Sequence, residues 1–157
     1  MDQAQTDSVQ TPPQPSLTEE QKAIIRENWQ DVEENMSEVG LYLFSKLFTI
    51  APEYREVFPF ETTTDNVRLR VHATGVMKTV GKAVQNLDQF SELQSALSTL
   101  GQFHHRKAIK FENFQAVGQA LIQTLSDKLQ ENFTPEVHEA WSKTFDMITA
   151  AMKSGMN

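Results

Sequence analysis

Leu97-Ser98-Thr99-Leu100-Gly101-Gln102-Phe103-His104 is the stretch on which the reading of this chain turns. Leu93, Leu97, Leu100 and His104 recur every three or four residues, the spacing of one helical face. A histidine on an apolar face is awkward, because its ring nitrogens need partners away from water. The same pattern stands 32 residues earlier, in Leu69-Arg70-Val71-His72-Ala73-Thr74-Gly75-Val76, where His72 shares a stripe with Leu69, Val76 and Val80. One such histidine is most simply a core residue satisfied by a buried partner. Two of them on two helices, with aromatics nearby, suggest a flat cofactor gripped from both sides.

Bulk composition narrows the field. A chain of 157 residues fits one domain with a real core. Fourteen Lys and Arg against 21 Asp and Glu give a net charge of −7, which favours solubility and disfavours general binding to nucleic acid or an anionic membrane. The chain has no cysteine, which excludes disulfides, thiolate catalysis, iron–sulfur clusters and cysteine-ligated zinc. That fits a reducing cytosol, and a cytoplasmic location is expected. No apolar run reaches the ~18–20 residues of a membrane helix. Met1-Asp2-Gln3-Ala4 lacks a secretory start and the glycine for myristoylation.

Outward from the two histidines, the whole chain reads as helix. Residues 1–16, rich in Gln, Pro, Ser and Thr, read as a disordered tail. Thr18 with Gln21 predicts a capping box; Ser16 with Glu19 is the alternative frame. Ile24, Ile25, Trp29 and Val32 follow as a helical stripe. A second helix begins near Ser37 and stops before Pro52, since the residue before proline avoids helical angles. A turn from Pro52 to Val57 leads to Phe58-Pro59-Phe60 and a polar loop, residues 61–66. The helix of His72 follows, and then the helix of His104, expected from about Ser91 to His105. Two longer helices finish the chain, roughly Glu112–Gln130 and Pro135–Lys153, the last capped by Thr134 with Pro135 in its first turn. Residues 154–157 read as a short C-terminal tail. No segment alternates as a strand does, so the class is all-α. Gly40 and Ala73 are small enough to let two helices cross closely. Two imidazoles facing a shared apolar space in an all-α chain are the ligand set of a haem, with iron between them.

Here the chain resembles a globin, over about residues 17–153. Trp29 lies 11 residues before Gly40, and Gly40 lies 18 before Phe58, the spacing of that family's first helix, second helix and haem-wedging phenylalanine. Pro52 is placed like the proline that starts the family's short third helix. Leu100-x-x-x-His104, Asn113-Phe114 and Phe133-Thr134-Pro135-Glu136-Val137-His138 match its later motifs. Each motif alone is weak; the ordered set is specific. The wording Leu-Gly-x-x-His and the short loop after it look closest to neuroglobin- and cytoglobin-like animal globins. The resemblance implies a globin fold of about seven to eight helices around a pocket for haem b.

It also implies roles. His104 is the proximal iron ligand, its second ring nitrogen donating to a backbone carbonyl near Leu100. His105, about 100° further round the helix, is the rival and reads as a surface residue. His72 is the distal histidine, either stabilising bound gas or serving as sixth iron ligand; core filler is the plain alternative. Phe58 stacks on the porphyrin and Phe44 crowds the ligand side, though each is also an ordinary core aromatic. Phe60 edges the pocket less securely, two rather than three residues after Phe58. Val76 faces the ligand. Leu100, Phe103, Ile109, Phe114 and Val117 line the proximal side, with Ile148 and Met152 at the base. Gly75 stands where many globins put a basic residue toward a haem propionate, so that salt bridge is expected to be missing. Arg68, Arg106 and Lys107 are the candidate substitutes, or plain surface charges. His138 reads as a surface residue.

The expected function is reversible binding of O2, and of CO or NO, for oxygen storage, transport or supply. Two alternatives use the same iron: a six-coordinate redox or gas sensor, and an enzyme of nitric oxide dioxygenation or nitrite reduction, with a cellular reductase as partner. Absence of an attached reductase domain argues against a self-contained dioxygenase. A haem-free helical interaction domain is disfavoured by the two histidines. Either a monomer or a homodimer is compatible.

Overall fold

The computed structural model describes residues 16–157. The expected tail, residues 1–16, lies outside this range except for Ser16, which is exposed. Six α-helices follow in order: α1 (Glu19–Glu33), α2 (Met36–Ile50), α3 (Val67–Gln85), α4 (Gln94–Arg106), α5 (Phe111–Leu129) and α6 (Pro135–Lys153). Three short 3-10 segments, Pro52–Val57, Phe90–Leu93 and Gln130–Asn132, join them. Among the described residues there is no strand, and the chain is all-α.

Local chemistry sets the helix ends. The Thr18 hydroxyl accepts from the Gln21 amide while Gln21 Oε1 accepts from the Thr18 amide, each at 3.0 Å, a complete capping box. Asn66 caps α3 by accepting from the amides of Arg68 and Leu69 at 2.8 and 3.2 Å. Thr134 caps α6 by accepting from the Val137 amide. The break at Ala51 becomes a 3-10 segment opened by Pro52. The helix of His104 departs from expectation at its start. Residues 90–93 form a tighter 3-10 turn, and α4 begins at Gln94 with no side-chain cap.

The C-terminus of α4 closes in a specific way. The Ala108 amide donates to the His105 carbonyl at 3.0 Å, and the Ile109 amide donates to the His104 carbonyl at 3.1 Å. This is the Schellman arrangement, whose turning residue is usually glycine. Here it is Ala108, at φ 64°. The turn brings Ile109 back beneath the His104 end of the helix.

Packing places the pocket. α2 lies against both α3 and α5, while α6 lies against α4 and α1. A Cβ added to Gly40 would stand 2.8 Å from the Ala73 carbonyl oxygen, so the backbones of α2 and α3 meet where only glycine fits. Gly101 serves the same end between α4 and α6, where any side chain would run into the Met152 carbonyl. The core includes Ile25, Leu43, Leu69, Met77, Leu121 and Trp141, all at most 2% exposed. Burying a side chain of this size stabilises the fold by about 1.5–3 kcal/mol. Trp141 keeps its indole N–H satisfied at Asn28 Oδ1, 3.0 Å away. Beyond α6, Ser154 and Gly155 stay against α4 at Gln94 and Ser98.

Candidate cofactor pocket

α3 and α4 face one another across a mostly apolar cavity of about 280 Å³. Its walls include Phe44, Phe58, His72 and Val76 on one side, and Leu100, His104, Ile109 and Phe114 on the other. Phe103, Val117, Ile148 and Met152 complete the set expected from the sequence. Their depths differ. Phe44 is 2% exposed, whereas Phe103 is 51% exposed and forms part of the mouth. A proximal-side lining role for Phe103 therefore narrows to a position on the rim, where Lys107 Nζ stands 5.2 Å from its ring centre.

His104 is fixed by its own helix. Its Nδ1 lies 2.8 Å from the Leu100 carbonyl oxygen. A carbonyl only accepts, so Nδ1 carries the proton. The other nitrogen, Nε2, is left with a lone pair and makes no hydrogen bond among the described residues. Phe103 and Phe114 hold the ring edge-on, with centroids 5.7 and 5.3 Å away. A neutral imidazole with a free, oriented lone pair is a good ligand for a borderline metal.

His72 is set by aromatic contacts instead. Phe44 and Phe58 meet its ring edge-on at 5.4 and 5.3 Å. Burial pushes its pKa below the ordinary 6.5, and the second imidazole, His104, lowers it further. Both effects favour the neutral ring.

Among the other candidates, Phe60 lines the cavity and packs on Phe58 at 5.5 Å, with the Arg68 guanidinium 4.8 Å from its ring centre. Lys107 lines the cavity; Arg106, also exposed, does not. Nothing lies within 4 Å of a Cβ placed on Gly75, so that position is open. His105 and His138 are exposed and lie outside this cavity. Sequence reasoning passed over several lining residues, among them Leu47, Tyr54, Thr79, Asn113, Phe145 and Thr149. Spacing could have found some: Leu47 is one turn beyond Phe44, Thr79 one turn beyond Val76, and Phe145 one turn before Ile148. Asn113 also accepts from the Lys110 amide at 2.7 Å, fixing the start of α5 beside the cavity.

The residues present fit a haem. The slot is apolar, it is bounded by two helices, and it offers one oriented imidazole lone pair with a second imidazole opposite. Among the described residues no cluster of three or more His, Asp or Glu is placed to hold a metal ion.

A helical bundle holding an apolar slot between two imidazoles is the architecture of a haem protein. The globin family model matches residues 41–152, and the chain belongs to the globin family. It is 31% identical, over 89% of its length and 92% of the relative's, to a protein of Brassica napus named anaerobic nitrite reductase. A protein of the same name from Casuarina glauca is 32% identical over the same shares. A neuroglobin of Dissostichus mawsoni is 30% identical over 88% of this chain and 92% of that protein. Similarity therefore runs to plant and animal globins alike. Membership of the family implies haem binding and diatomic gas ligands such as O2 and NO. No helix among the described residues is long and apolar enough to cross a membrane.

Proposed function

We propose that residues 17–153 hold haem b, with His104 as proximal iron ligand and His72 on the distal side, and that the protein binds O2 reversibly for storage, transport or supply. The bound haem supplies an iron centre at which O2, CO or NO attaches. The observation carrying this reading is the pairing of His104, whose Nε2 is freed by the Nδ1–Leu100 hydrogen bond, with His72 across an apolar slot. His104 orients and donates its lone pair. His72, kept neutral by burial, has an N–H to donate on the gas side. Phe44 and Phe58 limit the space beside His72 and exclude water. The apolar walls favour the porphyrin by area burial and keep two haems apart. A cytoplasmic location, and a monomeric or homodimeric state, are part of this proposal.

A second reading places both histidines on iron, as a six-coordinate redox or gas sensor. It is favoured by the His72 ring, which makes no hydrogen bond among the described residues and is held only by aromatic edges. A third reading is nitric oxide dioxygenation or nitrite reduction at the same haem, with a cellular reductase; the names of the plant relatives agree with nitrite reduction.

The visible spectrum of the deoxy ferrous protein separates the readings. One broad band reports five ligands and supports the carrier; two sharp bands report six. His72→Leu then accelerates O2 release and autoxidation in the five-coordinate case, and accelerates CO binding in the six-coordinate case. A His72→Leu protein with none of these rates changed contradicts the distal assignment.

A further inference from the structure

A second cavity, of about 460 Å³, lies in the groove between α5 and α6. Its rim is polar and exposed. Gln115, Gln119 and Gln123 stand one turn apart on α5, and His138 and Asp146 stand on α6. Below the rim the walls are Phe111, Ile122, Ser142 and Phe145, all half-buried. Thr149, 7% exposed, is the most deeply buried residue of the lining. The groove therefore leads from solvent down to a buried point on α6.

That point belongs to both cavities. Among the described residues, Phe145 and Thr149 are the two that line the groove and also the slot between His72 and His104. They stand one turn apart on α6. The partition between slot and groove is thus one aromatic ring and one small side chain. The Thr149 hydroxyl is spent within its own helix, donating to the carbonyls of Phe145 and Asp146 at 3.1 and 3.2 Å. Neither residue brings a free polar group to the partition. The ring of Phe145 lies directly on α5, where a Cβ added to Gly118 would stand 2.8 Å from two of its atoms. A half-buried ring with open space on both sides can change rotamer without displacing the packed core.

The two cavities differ in charge. Among the residues lining the haem slot, Lys107 carries the one full charge. The groove is lined by Asp146 and by no Lys or Arg. An anion is favoured beside Lys107 and disfavoured beside Asp146. It would also lose its hydration at an apolar partition, whereas an uncharged diatomic molecule has almost none to lose.

We propose that the α5–α6 groove is a second port to the haem slot for uncharged diatomic gas, and that Phe145 is its gate. The proposal rests on the haem reading above. Gas that enters past His72 meets a ring hemmed in by Phe44 and Phe58. Gas that enters at Phe145 leaves His72 in place and reaches the slot beside Ile148, one turn on in α6. Anionic ligands are confined to the mouth that holds Lys107. The two ports therefore sort ligands by charge, and no bond is made or broken in transit.

The test compares an uncharged with an anionic ligand in the full-length holoprotein. CO rebinding to the ferrous form is followed after flash photolysis, and azide binding to the ferric form by rapid mixing. Phe145→Ala is expected to raise the bimolecular CO rate at least about threefold, with the azide rate unchanged. Ser142 lines the groove but not the haem slot. Ser142→Trp fills the groove from outside and should slow CO at least about twofold, again without changing azide. It decides the matter alone if Phe145→Ala fails to fold. Xenon under pressure should shift the methyl resonances of Ile122 and Thr149 in the full chain, and Ser142→Trp should abolish the Ile122 shift. That measurement needs no haem, so it separates a missing port from a failed haem reading. CO rates unchanged in the folded variants overturn the proposal. So does equal acceleration of CO and azide in Phe145→Ala, which reports general loosening, and so does xenon that leaves Ile122 unmoved.

Discussion

The Nδ1 of His104 stands 2.8 Å from the carbonyl oxygen of Leu100, one turn back in the same helix. This contact ties the tautomer of the ring to the backbone of α4. It leaves Nε2 as the only lone pair available on the ring that lines the cavity. The helix is in turn held against α6 by Gly101, so ring, helix and cavity wall form one rigid unit.

The closest approach between α2 and α3 makes Gly40 sensitive. An alanine there gains up to about 1 kcal/mol of helix propensity but forces its methyl against the Ala73 backbone. Overpacking of this kind costs about 1–3 kcal/mol. Gly40→Ala is expected to be destabilised by about 1–2 kcal/mol in the haem-free protein, as read by urea unfolding. Because Ala73 directly follows His72 in α3, His72 should shift with it and change the gas-binding rates.

At the other end of the pocket, substitution should stabilise. Ala108 occupies a left-handed turn at φ 64° that suits glycine. Relief of that strain outweighs the entropy glycine adds to the unfolded chain, for a net gain of about 0.5–1 kcal/mol. Ala108→Gly should raise Tm by a few degrees, at about 2–4 °C per kcal/mol for a chain this long. An Ala108→Val protein should be less stable than either.

An ion-paired cluster joins α2 to α5. Tyr42 donates to Asp127 at 2.5 Å, and Lys46 Nζ reaches the same carboxylate at 2.8 Å. The hydrogen bond to Asp127 pushes the Tyr42 pKa above its usual 10.0, and the bond from Lys46 holds Asp127 below its usual 3.8. Asp127→Asn should move the Tyr42 titration back down, seen in the ultraviolet tyrosinate band. The folded state gains from this carboxylate above its ordinary pKa and loses that gain as pH falls through the depressed value. The variant should accordingly lack that part of acid unfolding. The cluster is at the surface, so the effect on stability near neutral pH should be small.

His72 gives the haem-free protein a different pH dependence. Its folded pKa lies below the ordinary 6.5, through burial first and His104 second. Below about 6.5 the unfolded chain takes up a proton that the folded chain refuses, so stability falls as pH falls. Between about pH 7 and about pH 5.5 the urea midpoint of the haem-free protein should drop. It should drop less in His72→Leu.

Much of this was legible before any coordinates, because it rests on short-range chemistry. The capping box of Thr18 and Gln21, and Pro52, are read from adjacent residues. His72 and His104 announce themselves because a polar ring on an apolar stripe demands an explanation. The close crossing at Gly40 and Ala73 followed from their size. The rest depends on geometry across the fold. Nothing local marks Ala108 as left-handed, since alanine is a good helix former. Phe103 sits one residue before His104, about 100° around the helix, and only the packing of its neighbours shows it at the rim.

The most direct test of the central claim is haem titration of the His104→Gly protein, followed by its visible spectrum with and without added imidazole. The wild-type chain should take up one haem tightly. The variant should lose most of that affinity and recover the wild-type spectrum when free imidazole fills the space left by the ring. A His104→Gly protein that binds haem as tightly as wild type, with an unchanged spectrum and no response to imidazole, contradicts the assignment of His104 as the iron ligand.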